Sequence, residues 1–286
     1  MKKILFVLLV VLNATVYAKP MVIVSILPQK TFVEKIAKEK VDVTLMVKPG
    51  NSPHSYEPKS SQMISISKAD VYFSIGIEFE KTWLDRFKSQ NKKLRFVNIS
   101  DSVAKIAMTE SHNEQVHHHE TGHHHKGVDP HTWTSPKNVK IMAKSIYRIL
   151  VQIDPTNEKF YKSNLDDFIK EIEETDNKIK YTLQDIKVNS KFMVFHPSWG
   201  YFANEYNLTQ IAVEVEGKKP KAKEMIMIIN EAREENVKVI FTQPEFSDKS
   251  AQIIAKEANV SVKKISPLNP DWSKNLINMA KAIANK

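Results

Sequence analysis

DPTNEKFYKSNLDDFIKEIEETDNKIKYTLQDIKV, residues 154–188, sets how the rest of the chain must be arranged. Behind Asp154-Pro155, apolar side chains recur at Tyr161, Leu165, Phe168, Ile172, Ile179, Leu183 and Ile186. Steps of three, four and seven place them on one face of a single long helix. About thirty helical residues at 1.5 Å each span roughly 45 Å, the width of a whole domain. A stripe of that length either zips two chains together as a coiled coil or braces two halves of one chain as a stiff strut.

The flanking sequence favours the strut. On the N-terminal side, short β-branched runs at 22–26, 41–47, 71–75 and 95–99 alternate with helical patterns at 29–38, 59–68 and 79–89. On the C-terminal side the rhythm returns, with strands at 192–195, 210–215, 237–242 and 260–265. Helical stretches at 199–206, 222–235, 249–258 and 272–284 lie between and after them. Strands alternating with helices predict an α/β chain of βα units with parallel sheets. The expected organisation is an N-terminal βα domain over 19–153, the long linking helix over 154–188 and a C-terminal βα domain over 189–286. A further helix runs from Pro136 to about Gln152.

Lys2 and Lys3, an apolar run over 4–12 and the small-residue site Val16-Tyr17-Ala18 read as a secretory signal peptide, 1–18, cut after Ala18. The apolar run falls well short of the roughly 20 residues that a membrane span needs. There is no Cys, so neither a disulfide nor a lipid-bearing thiol is expected, and a free periplasmic protein is. The formal charge is +9, but the basic residues are mostly Lys scattered among acids. With no Arg-rich run and no basic strip interleaved with aromatics, no nucleic-acid partner is expected.

Seven of the ten histidines lie in one compositionally odd segment, SHNEQVHHHETGHHHKG at 111–127. They are His112, His117, His118, His119, His123, His124 and His125. So little apolar content predicts a mobile loop that can bind several metal ions weakly, copper or nickel among them. The remaining three, His54, His131 and His196, stand beside prolines at the ends of predicted strands. Ligand sites of doubly wound sheets gather outside the carboxyl ends of strands. Two histidines from the first half and one from the second are thus placed to meet in the crevice between domains. Imidazole nitrogen suits zinc, at about 2.0–2.1 Å.

PGNSPHSYEPKSSQM at 49–63 resembles the first ligand region of the periplasmic metal-binding proteins of the ZnuA/TroA type. DPHTWTSP at 129–136 resembles their second, and VFHPSWGYFANEYNL at 194–208 their third. EVEGKKP at 214–220 and FTQPEF at 241–246 resemble two further segments, in the expected order. The resemblance implies two similar βα domains bridged by a long helix, with the metal in the interdomain cleft. It also implies delivery of that metal to the membrane permease of an ABC-type importer. His196 stands where manganese members carry Glu, and the His-rich loop is a trait of zinc members, so the implied substrate is the zinc ion.

Departures from the family pattern concern the fourth ligand. Pro53 stands where some zinc members have Glu, and Ser266 lies near where manganese members offer Asp. Asp271 and Glu245 are the candidate replacements, with water the expected occupant. In FTQPEF the acid and amide of the family pattern are exchanged, as Gln243 and Glu245. Two rival readings are a secreted zinc hydrolase or lyase, and a metal buffer acting through the His tract alone. The chain has no HExxH, no GxSxG and no glycine-rich phosphate loop, so a non-enzymatic, monomeric binding protein is expected.

Overall fold

The computed structural model describes residues 18–108, 127–214 and 218–286. Residues 1–17 of the expected leader, 1–18, lie outside them, as does the His tract. The N-terminal half contains β1 (Met21–Val24), α1 (Leu27–Ala37), β2 (Asp42–Leu45), α2 (Ser60–Lys68), β3 (Val71–Ser74), α3 (Glu78–Gln90) and β4 (Arg95–Asn98). Its four strands are all parallel, in the order β2-β1-β3-β4. Val22, Ile23, Val24, Val71, Tyr72 and Phe73 are wholly buried, as continuous apolar strands in a parallel sheet must be.

The C-terminal half contains β5 (Lys191–Val194), α6 (Gly200–Glu205), β6 (Thr209–Ala212), α7 (Ala222–Glu234), β7 (Val239–Thr242), α8 (Lys249–Ala258) and β8 (Ser261–Lys264). It repeats the same parallel order, β6-β5-β7-β8. In each sheet the chain reverses direction of travel beside its first strand, which opens a crevice at the carboxyl ends of the strands.

Two helices link the halves. α4 (Pro136–Ile153) begins sharply because Ser135 Oγ accepts a hydrogen bond from the Asn138 N–H and Pro136 occupies the first helical position. α5 (Glu158–Leu183) is the long helix, and its 26 residues give a length of about 39 Å. It is shorter than the 154–188 expected from periodicity. The Asp154 carboxylate takes the side chains of Thr156, Asn157 and Tyr161, which holds Pro155–Asn157 as a separate 3-10 turn. At the far end the Ile186 N–H turns back to the Leu183 carbonyl, so Ile186 falls outside the helix.

The apolar face of α5 is covered within the chain. Tyr161, Leu165, Phe168, Ile172 and Ile179 are buried against α4, α1 and α9 (Trp272–Ile283). Phe32 of α1 joins them, 5.7 Å from Phe168 and 5.8 Å from the Trp272 ring, edge-on to the latter. Each such side chain stabilises the fold by about 1.5–3 kcal/mol. One continuous core runs through β1, β3, α1, α4, α5 and α9 into Phe192, Trp199, Phe202 and Phe241 of the second half. A smaller core lies beneath α7 and α8. No helix among the described residues is long and apolar enough to cross a membrane.

Candidate metal centre

Three loops at the carboxyl ends of strands converge where the halves meet. His54 lies on the loop after β2, which turns at Gly50 with φ of +77°. His131 lies on the segment entering α4, where Asp129 Oδ1 accepts its backbone N–H at 2.8 Å and tightens the turn. His196 follows β5 directly. Its carbonyl accepts from Gln243 Nε2 at 2.9 Å, and the same amide donates to Ser198 Oγ at 3.0 Å. Parallel pairing of β5 with β7 brings residues 196 and 243 side by side.

The rings meet although His54 and His196 are 142 residues apart. The His54 and His196 centroids are 5.0 Å apart, and those of His131 and His196 are 5.3 Å apart. His54 Nε2 and His196 Nε2 approach to 3.3 Å. Two nitrogens on one tetrahedral zinc, each at about 2.0–2.1 Å, would be about 3.3–3.4 Å apart. The rings are gathered without being closed: among the described residues, no three His, Cys, Asp or Glu side chains already form a metal-binding group.

What sets the three rings apart from chance neighbours is their other nitrogen. His54 Nδ1 faces Glu78 Oε2 at 3.0 Å, His131 Nδ1 faces Asp129 Oδ1 at 2.8 Å, and His196 Nδ1 faces Glu214 Oε1 at 2.7 Å. A carboxylate on Nδ1 fixes the tautomer with the proton there and leaves Nε2 as a lone-pair donor. Asp129 and Glu214 are buried, as are His131 and His196, whereas His54 and Glu78 stand at the open edge. The sequence reading named none of these carboxylates; the position of Asp129 two residues before His131 is a signal that could have found it. The EVEGKKP segment could likewise have pointed to Glu214, and Glu78 had no sequence signal.

The rings line a cavity of about 30 Å³ together with Pro53, Ile77, Trp133, Phe246 and Leu268. Phe246 stacks on His196 at 5.0 Å and Trp133 lies 5.3 Å from His131, so the cavity is mostly apolar around its nitrogens. Glu245 also lines it, with Ser266 Oγ donating to Oε1 at 3.0 Å. Asp271 does not. It is exposed at the start of α9, where its backbone carbonyl accepts the Asn275 N–H and its side chain makes no cap hydrogen bond. The exchanged amide has a role of its own, since Gln243 braces the His196 loop.

Beneath the His54 side of the site lies a buried cluster. The Glu80 carboxylate accepts the N–H groups of Ile75 and Gly76 and the hydroxyl of Ser25, which also bonds Tyr72. Burial pushes the Glu80 carboxyl up to about 7. The cluster fixes the loop that carries Ile77 and Glu78.

The His tract, residues 112–125, lies outside the described residues, but its base does not. Met108 N–H bonds the Gly127 carbonyl, Asp129 N–H bonds the Ile106 carbonyl, and Ala107 bridges Val128. The tract therefore leaves and returns beside Asp129.

The family described as ZnuA, zinc-uptake complex component A, periplasmic, matches residues 22–286. The chain belongs to the ZnuA family. The high-affinity zinc uptake system protein ZnuA of Bacillus subtilis (strain 168) is 29% identical over 252 residues, 86% of this chain and 78% of that protein. A crystal structure of ZnuA superposes with a TM-score of 0.84 at 38% identity, covering 94% of this chain and 99% of that one. The manganese ABC transporter substrate-binding lipoprotein PsaA of Streptococcus anginosus is 27% identical over 242 residues, 80% of this chain and 74% of its own length. ZnuA-family proteins are extracytoplasmic substrate-binding components of ABC-type importers. Membership makes a metal ion the substrate and a membrane permease the partner.

Proposed function

We propose that the chain captures zinc in the periplasm on Nε2 of His54, His131 and His196, with water in the fourth position, and hands it to an ABC permease. The observation that carries this reading is the carboxylate on every Nδ1. Three histidines brought together merely by packing have no reason to share that arrangement, whereas zinc-ligating histidines almost always do. The preference for zinc over manganese rests on the donors, because imidazole suits zinc and manganese favours harder oxygen. A manganese-binding relative of similar identity makes that preference a matter for measurement.

An open fourth position suits release, since an incoming permease ligand can attack the ion without first displacing a carboxylate. The covered face of α5 leaves no long apolar stripe to pair two chains and supports a monomer. The His tract, rooted beside Asp129, acts as an auxiliary collector, and the cleft holds the transported ion.

Competition titration of the mature protein, prepared without an affinity tag, tests this. His54→Ala, His131→Ala and His196→Ala should each weaken the first zinc severely with the tract intact. Unchanged affinity in all three would sink the assignment. Deleting residues 112–125 should remove the weaker sites and spare the tight one; loss of the tight site would reverse the roles of tract and cleft.

A further inference from the structure

The small cavity among the three rings shares lining residues with a larger one of about 240 Å³. The outer cavity lies between the loops after β1 and β2 on one side and those after β7 and β8 on the other. Leu27, Lys48 and Gly50 face it from the first half, and Glu245, Ser266 and Leu268 from the second. Of the residues lining either cavity, Glu245 and Leu268 line both. The Leu268 side chain has no donor to offer a cation. The other carboxylate on the inner wall, Glu78, is engaged with His54 Nδ1. Glu245 is bound to no histidine and is half-buried, with one oxygen resting on the Ser266 hydroxyl.

We propose that Glu245 is a transit ligand, which carries zinc between the outer cavity and the three histidines and does not hold it at rest. This deepens the reading above and rests on it. A hydrated divalent cation fits the outer cavity, but the inner one has room for little more than one water. Its waters must therefore be exchanged for protein donors as it passes from the outer cavity to the inner one. Glu245 releases Ser266, takes the place of one bound water on the ion, and gives it up when the histidine nitrogens bind. The carboxylate then returns to the Ser266 hydroxyl, and water fills the remaining position. The same steps in reverse serve release. No bond order or oxidation state changes, and each ligand lost by the metal is replaced by another.

A transit ligand lowers the barrier in both directions and leaves the end states alone. Stopped-flow binding of zinc to the full mature chain tests this, read by tryptophan fluorescence to which Trp133 contributes and paired with competition titration at equilibrium. Release is timed by mixing the one-zinc complex with excess chelator. Glu245→Gln should slow association and dissociation by a similar factor, about fivefold or more, and change Kd by less than about threefold. Glu245→Asp, which keeps the charge but shortens the reach, should also slow both. Unaltered rates in Glu245→Gln would overturn the proposal. So would wild-type rates in Glu245→Asp, which would reduce the effect to electrostatic attraction. A large loss of affinity from faster dissociation alone would make Glu245 a resident ligand instead. Failure of the three-histidine site is separately visible, as unchanged Kd in the His54, His131 and His196 variants.

Discussion

A methyl group at residue 200 would sit 2.4 Å from Asp129 Oδ2, a distance that a real Cβ does not tolerate. Gly200 opens α6 in the second half, and Asp129 holds His131 in the first, so one missing methyl lets the halves approach closely enough to build the site. Gly200→Ala should push the carboxylate off His131, weaken zinc about tenfold in competition titration and cost about 1–3 kcal/mol as overpacking, read by calorimetry. Full zinc affinity in that variant would mean that Asp129 is free to shift without moving His131. Glu80 gives a second residue-scale expectation. Its carboxyl is raised by burial from the ordinary value of 4.5 to about 7, so the fold favours its protonated form. That stabilisation is complete below about 4.5 and is lost as the pH rises through about 7. Glu80→Gln, permanently neutral, should flatten this part of the stability profile, measured as the difference between the two proteins from pH 4.5 to 8. Parallel profiles would show that Glu80 does not titrate in that window. The three histidines were legible from sequence because prolines flank them, His54 and His196 also following strands, whereas His131 lies on the segment entering α4. Glu78 was not, since a carboxylate reaching His54 from 24 residues away leaves no local pattern.

At the scale of elements, the reading located the eight strands among the described residues to within a few residues; the central strands are short buried runs of β-branched and aromatic residues, whereas β4 and β8 are edge strands with no buried residue. The ends of α5 were less legible. Apolar spacing carried the reading through Ile186, but side-chain hydrogen bonds at Asp154 and the turn at Leu183 stop the helix earlier. The face of α5 was read correctly, and its use can be tested at Phe168, which is 2% exposed and packs on Phe32. Phe168→Ala should destabilise the protein by about 3–5 kcal/mol in denaturant unfolding. A loss below about 1 kcal/mol would mean that the site collapses or that α5 braces the fold less than its burial implies.

Across the whole molecule, α5 is not the sole link between the halves. Trp133 Nε1 donates to the Pro267 carbonyl at 2.8 Å, Trp272 Nε1 to the Trp133 carbonyl at 2.7 Å, and Tyr201 hydroxyl to the Asp129 carbonyl at 3.0 Å. With a helical brace and these buried ties, few soft dihedrals remain to act as a hinge. Small-angle scattering of the metal-free and zinc-loaded protein should give nearly superimposable profiles; compaction like that of a freely hinged pair of lobes would count against the brace. The core that threads both halves has a bearing on the protein's lifetime. The main core, shared by both lobes, favours cooperative opening, and on the function proposed above an ion that binds only the folded cleft opposes it. At a free zinc concentration one hundred times Kd, the opposition amounts to about 2.7 kcal/mol, close to a hundredfold fewer open molecules. Extracytoplasmic proteases that attack the open chain would therefore clear empty carriers in preference to loaded ones, and the steady amount of protein would follow the supply of its cargo.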